Sequence, residues 1–298
     1  MGPSQFSEVG RFLLLDPYAR KRLAEADKAL GMSVFDGLRD SQEDDYSEST
    51  QIAFLVNSMA AADRAEDTLG IRPDFCVGPS FGQKAAAAYA GCLPFADVVR
   101  LTAEMARAEH AYFTEEYQDA VTHTFVRTPE EKLRPILAEF DERGAWYDFS
   151  GHLDDGFTML SVHEPDLDGL KRSISEAGGY SMYTMVPAVH APAFTGLRRR
   201  VAEEILPKYN LADPELPVVT DQDGTVIKTA DEMRTMLLDT FDRPIHWPRV
   251  VSTLKESGVA KLCITGPDNL FHRLDRTKAS FEVVRVGPGK RSRGPRPR

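Results

Sequence analysis

Apolar positions along the chain recur at two spacings. From Ser49 to Leu69, Ile52, Phe54, Leu55, Met59 and Ala62 return at helical intervals, and Gly70 supplies a stop. Asp16-Pro17 is a helix start, an N-cap followed by a proline at the first helical position; that helix runs to Leu30 and ends at Gly31. Asp74 to Val77 reads as a short buried strand. A sharp turn follows, then an alanine-rich helix from Gln83 to Ala90, then a helix over Pro94–Phe113.

The middle of the chain changes period. Val121–Thr128, Trp146–His152, Phe157–Val162 and Tyr180–Val186 read as strands, with helices over Pro129–Arg143 and Leu167–Ala177. This β-α-β-β-α-β order is the ferredoxin-like arrangement. Helix and strand then alternate again: a helix over Phe194–Leu206, a strand over Val218–Thr220, helices over Asp231–Phe241 and Trp247–Glu256, and a strand over Lys261–Thr265. Such alternation implies a mainly parallel sheet covered on both faces. The expected division is a discontinuous α/β domain from 1–120 and 187–280, an inserted ferredoxin-like subdomain at 121–186, and a C-terminal strand and basic tail at 281–298.

Composition narrows the class. With 298 residues, 42% hydrophobic and 28% charged, the chain reads as a folded globular protein rather than a disordered or low-complexity one. No run reaches the ~18 apolar residues of a membrane span, and the start lacks a basic-then-apolar leader, so a cytoplasmic protein without membrane contact is expected. Net charge is −10, and the last nine residues carry five of the positive charges. A body this acidic argues against general nucleic-acid binding. Cys76, Cys92 and Cys263 form no C-x-x-C, which reads as reduced thiols without a metal or disulfide framework.

Gly78-Pro79-Ser80-Phe81-Gly82 carries the chemistry. It fits G-x-S-x-G with an apolar strand entering and a helix leaving, the setting of a nucleophile elbow. A Cβ two residues to either side of Ser80 is expected to strike neighbouring backbone. The helix N-terminus after Ser80 favours developing negative charge. A serine hydroxyl needs a base, and seven histidines are available. His190 lies in a loop between a strand and a helix, where strand-end chemistry collects, but the residues alone leave the choice open.

Several segments together resemble the malonyl-CoA:acyl carrier protein transacylase family, including the acyltransferases of polyketide assembly lines. The likeness runs from Gly2 to about Leu274. Gly78–Gly82 lies over the family's serine elbow; Ala90-Gly91-Cys92-Leu93-Pro94-Phe95-Ala96-Asp97 over its helix junction; His190-Ala191-Pro192 over its histidine motif; Leu216–Thr225 over "VPVVSNVDGT"; Pro244-Ile245-His246-Trp247 over "PVRW"; and Gly266-Pro267 over its C-terminal glycine motif. The resemblance implies an α/β-hydrolase-like large domain with an inserted ferredoxin-like subdomain. It also implies ping-pong acyl transfer: Ser80, deprotonated by His190, takes the acyl group from one pantetheine thioester and passes it to a second pantetheine thiol. It places the carbonyl that orients His190 on Thr240, and an oxyanion donor on the Phe81 N–H. No bound cofactor is implied, since 4′-phosphopantetheine arrives on the acyl carrier protein or coenzyme A. A monomer is expected.

The chain departs from the family at three places. The likeness picks up inside the family's N-terminal loop, so the second oxyanion donor falls at Met1 or Gly2. Pro79 stands where the family has histidine. Met105 stands 25 residues after the serine, where malonyl-selecting members place an arginine that grips the carboxylate; Arg107 is about 200° further around the helix. A carboxylate buried without a cation is penalised, so the acyl group is expected to be monocarboxylic, aminoacyl or peptidyl. Met105, Val189, Pro79 and Gln51 are the candidate substrate-binding residues. Arg198, Arg199 and Arg200, with Lys171 and Arg172, are the candidate docking residues for an acidic carrier protein. Alternatives on the same scaffold are malonyl transfer and hydrolytic editing of acyl carriers. A catalytically weak carrier-binding module is the alternative from another class.

Overall fold

The computed structural model describes residues 4–41, 46–267 and 270–288. Strands are numbered β1 (Cys76–Val77), β2 (Ala120–Val126), β3 (Tyr147–Asp154), β4 (Phe157–His163), β5 (Tyr180–Met185), β6 (Val218–Val219), β7 (Val226–Ile227), β8 (Ile245–His246), β9 (Lys261–Thr265) and β10 (Glu282–Val286).

The Glu48–Leu69 helix is the axis of the large domain. It is apolar or small on most of its surface, and fourteen of its residues are buried. A helix buried all round must be covered on every side. Here the helices Pro17–Leu30, Val34–Asp40, Gly82–Tyr89 and Phe95–Glu116 pack on it, together with β9 and β10. The end signals act as expected. Asp16 accepts from the N–H groups of Tyr18 and Ala19, and Gly31 and Gly70 close their helices in the left-handed conformation. Two helices, Phe6–Leu15 and Val34–Asp40, lie in segments the periodicity left unassigned.

Parallel pairing of β1 with β6 and of β9 with β10 gives the large domain its sheet character, with β7 antiparallel on β6. The pairs are short: β1 and β6 share two residues each. The strand expected over Asp74–Val77 therefore shrinks to Cys76–Val77, directly before the elbow.

Residues 120–185 form the antiparallel order β5-β2-β4-β3, with the helices Glu130–Arg143 and Glu164–Glu176 on one face. This is the expected ferredoxin-like topology. Val121, Phe125, Leu160 and Val162 face Leu133, Ile136, Phe140, Leu170 and Ile174 in a core of their own. The sheet does not end with the insert. β8, from the returning chain, adds in parallel beside β3, with Gly151 opposite Ile245 and His152 opposite His246. His246 also accepts the Arg249 N–H as a helix cap. The C-terminal strand is present as β10; the basic tail lies outside the described residues. Among the described residues no helix is long and apolar enough to cross a membrane.

Candidate active site

The elbow is built from backbone upward. β1 delivers the chain to Gly78, and the Gly82–Tyr89 helix carries it away. Between them Ser80 sits at φ 55°, in the left-handed region that a non-glycine residue seldom takes. A Cβ at Gly78 runs into the carbonyl of Gly82, as the motif predicts. Gly82 departs from that expectation: the nearest atom to an added Cβ is Pro79 Cδ at 3.6 Å, an ordinary contact.

Asp221 holds the strained serine. Its buried carboxylate accepts the Ser80 N–H at 2.7 Å through Oδ2 and the Gln83 Nε2 at 2.6 Å through Oδ1. Burial pushes this carboxyl up to about 6, and the two donors oppose that rise. Asp221 lies in the segment Leu216–Thr225 already set apart by its motif. Its role was not legible there, because nothing local says that a side chain after β6 reaches across to the turn after β1.

His190 occupies a second strained position, at φ 57°. Its neighbour Val189 donates its N–H to Thr122 Oγ1 on β2 at 3.0 Å, and a run of buried hydroxyls continues through Ser161 to Ser150. The small sheet thus anchors the histidine loop. His190 Nε2 lies 2.8 Å from Ser80 Oγ, and Nδ1 lies 2.6 Å from the carbonyl of Thr240. A carbonyl only accepts, so Nδ1 carries the proton and Nε2 is left to accept from the serine. The carbonyl of Thr240 is free for a local reason. It lies in the last turn of the Ala230–Asp242 helix, and the residue four positions on is Pro244, which has no N–H. Burial pulls His190 down to about 4; the bond to Thr240 opposes this shift, and the charge of Lys84 adds to it.

Ser80 and His190 open into a cleft of ≈ 490 Å³, counting its open mouth. Phe81, Phe113, Val189, Phe194, Leu197 and Phe241 make its walls largely apolar, and Thr240 also borders it. Two charged side chains enter as well. Lys84, one turn after Ser80, is buried and donates from Nζ to Gln51 Oε1 at 3.2 Å. Glu109 is half-buried and accepts from Gln51 Nε2 at 2.8 Å. Burial lowers the affinity of Lys84 for its proton, and Glu109 partly restores it. The expectation of a cavity without a fixed cation is therefore corrected: the cation is an ammonium from the elbow helix. Its signal was visible in sequence, as a lone charge in the run Gln83–Ala90, four residues after the nucleophile.

The remaining candidates divide. Val189 borders the cleft. Gln51 stands behind its charged wall. Met105 is buried in the core, and Pro79 bounds the elbow, neither of them lining the cleft. Arg107 is exposed and pairs with Glu48 at 2.7 Å. Of the docking candidates, Arg198 is held by Asp239 and Asp242, and Arg200 by Glu115 at 3.0 Å. Arg199 and Arg172 are exposed and Lys171 half-buried, with no ion pair to any of the three among the described residues. Met1 and Gly2, where the second oxyanion donor falls, lie outside the described residues.

Comparison with known proteins bears on the family and the fold. Residues 124–185 match the family model for the VinK acyltransferase small domain. The malonyl CoA-acyl carrier protein transacylase of Bacillus subtilis is 24% identical over 278 residues, 90% of this chain and 67% of that protein. Its namesake from Escherichia coli K12 is 24% identical over 271 residues, 87% of this chain and 84% of that protein. The fold is shared with the malonyl-CoA:acyl carrier protein transacylase of Xanthomonas oryzae pv. oryzae (TM-score 0.84, 19% identity, 97% of this chain and 92% of that one). It is also shared with a malonyl-transacylase solved in complex with its type II polyketide acyl carrier protein (TM-score 0.83, 19% identity, 96% and 93%). The resemblance drawn from the motifs is borne out, and the chain is an acyltransferase.

Two outcomes follow from the elbow and the base. Gly78→Ala is expected to cost about 3 kcal/mol or more in urea unfolding, because backbone must move, whereas Gly82→Ala stays within about 1 kcal/mol. Equal losses would contradict the asymmetry. His190 accepts the serine proton only when neutral, so Ser80 acylation should hold its rate as pH falls through 6.5 and decline only toward about 4. Rapid-quench acylation rates measured across this range check it; a decline centred at 6.5 would be incompatible with the buried base.

Proposed function

We propose that this chain moves an acyl group to or from the phosphopantetheine thiol of an acyl carrier protein, through an ester on Ser80. The observation that carries the reading is the unbroken chain from Ser80 Oγ through His190 to the Thr240 carbonyl. As Oγ attacks the thioester carbonyl, its proton passes to His190 Nε2. The imidazolium is stabilised by the carbonyl end of the Ala230–Asp242 helix, where partial negative charge collects. The Phe81 N–H, at the start of the elbow helix, faces the oxyanion. Collapse expels the pantetheine thiolate, which takes the proton back from His190 and leaves an acyl ester. A second pantetheine thiol repeats the sequence in reverse, losing its proton to Nε2 and restoring Ser80.

The names of the sequence relatives support malonyl as the acyl group. Lys84 supports it physically, since a cation in the cleft can meet a distal carboxylate. Met105 supports a second reading, a cargo without a distal acid, because the helix position that carries arginine in malonyl-selecting enzymes is apolar here. The match to the VinK acyltransferase small domain, and the fold shared with a polyketide transacylase, support a place in polyketide or antibiotic assembly. Carrier docking falls to Arg199, Lys171 and Arg172, because Arg198 and Arg200 are occupied by acidic neighbours.

Incubation with an acyl-CoA should add one acyl mass to the protein by intact mass spectrometry, and Ser80→Ala should abolish the addition. His190→Ala should slow acylation about 10⁴-fold or more. Discharge should require a pantetheine thiol; loss at the same rate in buffer alone would assign a hydrolase. Charge reversal at Arg199 is expected to slow transfer to a carrier protein several-fold, more steeply at low salt, without changing acylation by CoA thioesters. Equal losses with both would remove Arg199 from the docking surface.

A further inference from the structure

Asp148 is a half-buried carboxylate on β3 that neither the motifs nor the acyl-transfer steps use. We infer that Asp148 is a positioning residue for His190: it straps the far side of the histidine loop to the small sheet, and through that loop it keeps the imidazole aligned on Ser80. The inference rests on the acyl-serine reading above and adds to it the residue that holds the base in place.

The loop has two ends to hold. Before His190, the Val189 N–H is taken by Thr122 Oγ1 on β2. After it, the Ala193 N–H donates to Asp148 Oδ2 at 3.1 Å, and Trp146 Nε1 donates to the same oxygen at 3.3 Å. β2 and β3 are not neighbours; β4 lies between them. Two strand spacings are about 10 Å, so the loop bridges the sheet from one anchor to the other, with His190 in the span.

The span needs both anchors. His190 sits at φ 57°, a conformation that persists only where its surroundings impose it. The turn that follows closes on itself, with the Phe194 N–H on the Ala191 carbonyl at 2.9 Å. From the large domain, Tyr117 Oη reaches the Ala193 carbonyl at 3.3 Å. Asp148 takes the N–H of that same residue, so Ala193 is gripped from both domains. The Trp146 ring packs against Phe194 with centroids 6.3 Å apart, and the indole that steadies Asp148 thereby braces the turn as well.

The strap requires an acceptor and not a charge. Both donors meet one oxygen, and the carbonyl oxygen of an asparagine can take both in its place. Alanine offers no acceptor; it frees the Ala193 N–H and lets water into the turn beside a buried imidazole. A displacement of the base by about 1 Å costs on the order of 10²-fold in rate. Water beside the ring also removes part of the desolvation that holds His190 down at about 4, so its titration moves up toward 6.5. Lys84, the charge that adds to this lowering, is untouched by the change.

The wild type, Asp148→Asn and Asp148→Ala test this by three readouts. In the wild type the Ala193 amide is expected to be protected from hydrogen exchange in NMR spectra; exchange at the rate of an open loop would overturn the inference without any variant. The His190 imidazole, followed by NMR, is expected to titrate near 4 in the wild type and in Asp148→Asn, and at least about one pH unit higher in Asp148→Ala. Rapid-quench acylation of Ser80 by a CoA thioester is the third readout. Asp148→Ala should lower the saturated rate about 10- to 100-fold while the half-saturating thioester concentration stays within about 2-fold, and Asp148→Asn should stay within about 3-fold of the wild type throughout. Equal losses in the two variants would make the charge the essential feature and overturn the inference. So would an Asp148→Ala protein with wild-type rate and titration, or one whose lost rate only follows its unfolded fraction in urea while His190 titrates in place. Should Asp148→Ala fail to fold, the asparagine variant and the wild-type amide still decide. A wild type that no thioester acylates would instead defeat the acyl-transfer reading itself, and the exchange and titration readouts would still judge the strap.

Discussion

The hydrogen bond between His190 and the Thr240 carbonyl is the constraint on which the site depends. It fixes which imidazole nitrogen bears the proton, and so decides that the other can accept from Ser80. It asks three distant chain segments to meet within one hydrogen-bond length of each other. The strand pairing serves that demand. β1 and β6 lie side by side, so Asp221 after β6 can clamp the Ser80 turn after β1. β8 joins the small sheet beside β3, so the chain leaving the Ala230–Asp242 helix is tied to the same sheet whose β2 anchors the loop of His190. Both reacting residues hold left-handed backbone conformations, and each is secured by a side chain from another element.

A backbone carbonyl in place of a carboxylate has an electrostatic consequence. A buried Asp beside His190 would raise the imidazole's proton affinity; a neutral carbonyl does so much less, and desolvation wins. The base therefore stays neutral over the whole physiological range. Lys84 pushes the same way. The elbow thus lies between two buried charges: Asp221 on the backbone side, where it shapes the turn, and Lys84 on the cleft side.

The sequence carried the elements with strong local grammar. The Asp16-Pro17 start, the Gly70 stop and the period of the Glu48–Leu69 helix all appear as read, and so does the order of the inserted ferredoxin-like unit. Trp247–Glu256 and Lys261–Thr265 match residue for residue. Two of the elements that escaped have physical reasons. β8 is two residues long and exists through its partner β3, and the Val34–Asp40 helix is too short to announce itself by period. In the site, Ser80 was legible from its turn and Thr240 from counting within the motif, and Pro244 supplies the physical reason for the latter. Asp221 was not, because its function depends on pairing between strands well over one hundred residues apart.

Lys84 and Glu109 make the charged part of a cleft that is otherwise largely apolar. Reading Met105 alone assumes that the acyl end must be gripped from the Phe95–Glu116 helix. The cleft is also walled by the elbow helix, and a long side chain one turn past the nucleophile reaches into it. Desolvation would make a lone lysine costly there. Gln51 relays the Glu109 charge to it through an amide, so the wall carries a matched pair without a direct ion pair. Glu109 lies one turn after Met105 on the Phe95–Glu116 helix, so that helix supplies the counter-charge while the elbow helix supplies the cation. A direct salt bridge would have satisfied both charges; the interposed amide leaves the ammonium with Gln51 as its hydrogen-bond partner among the described residues.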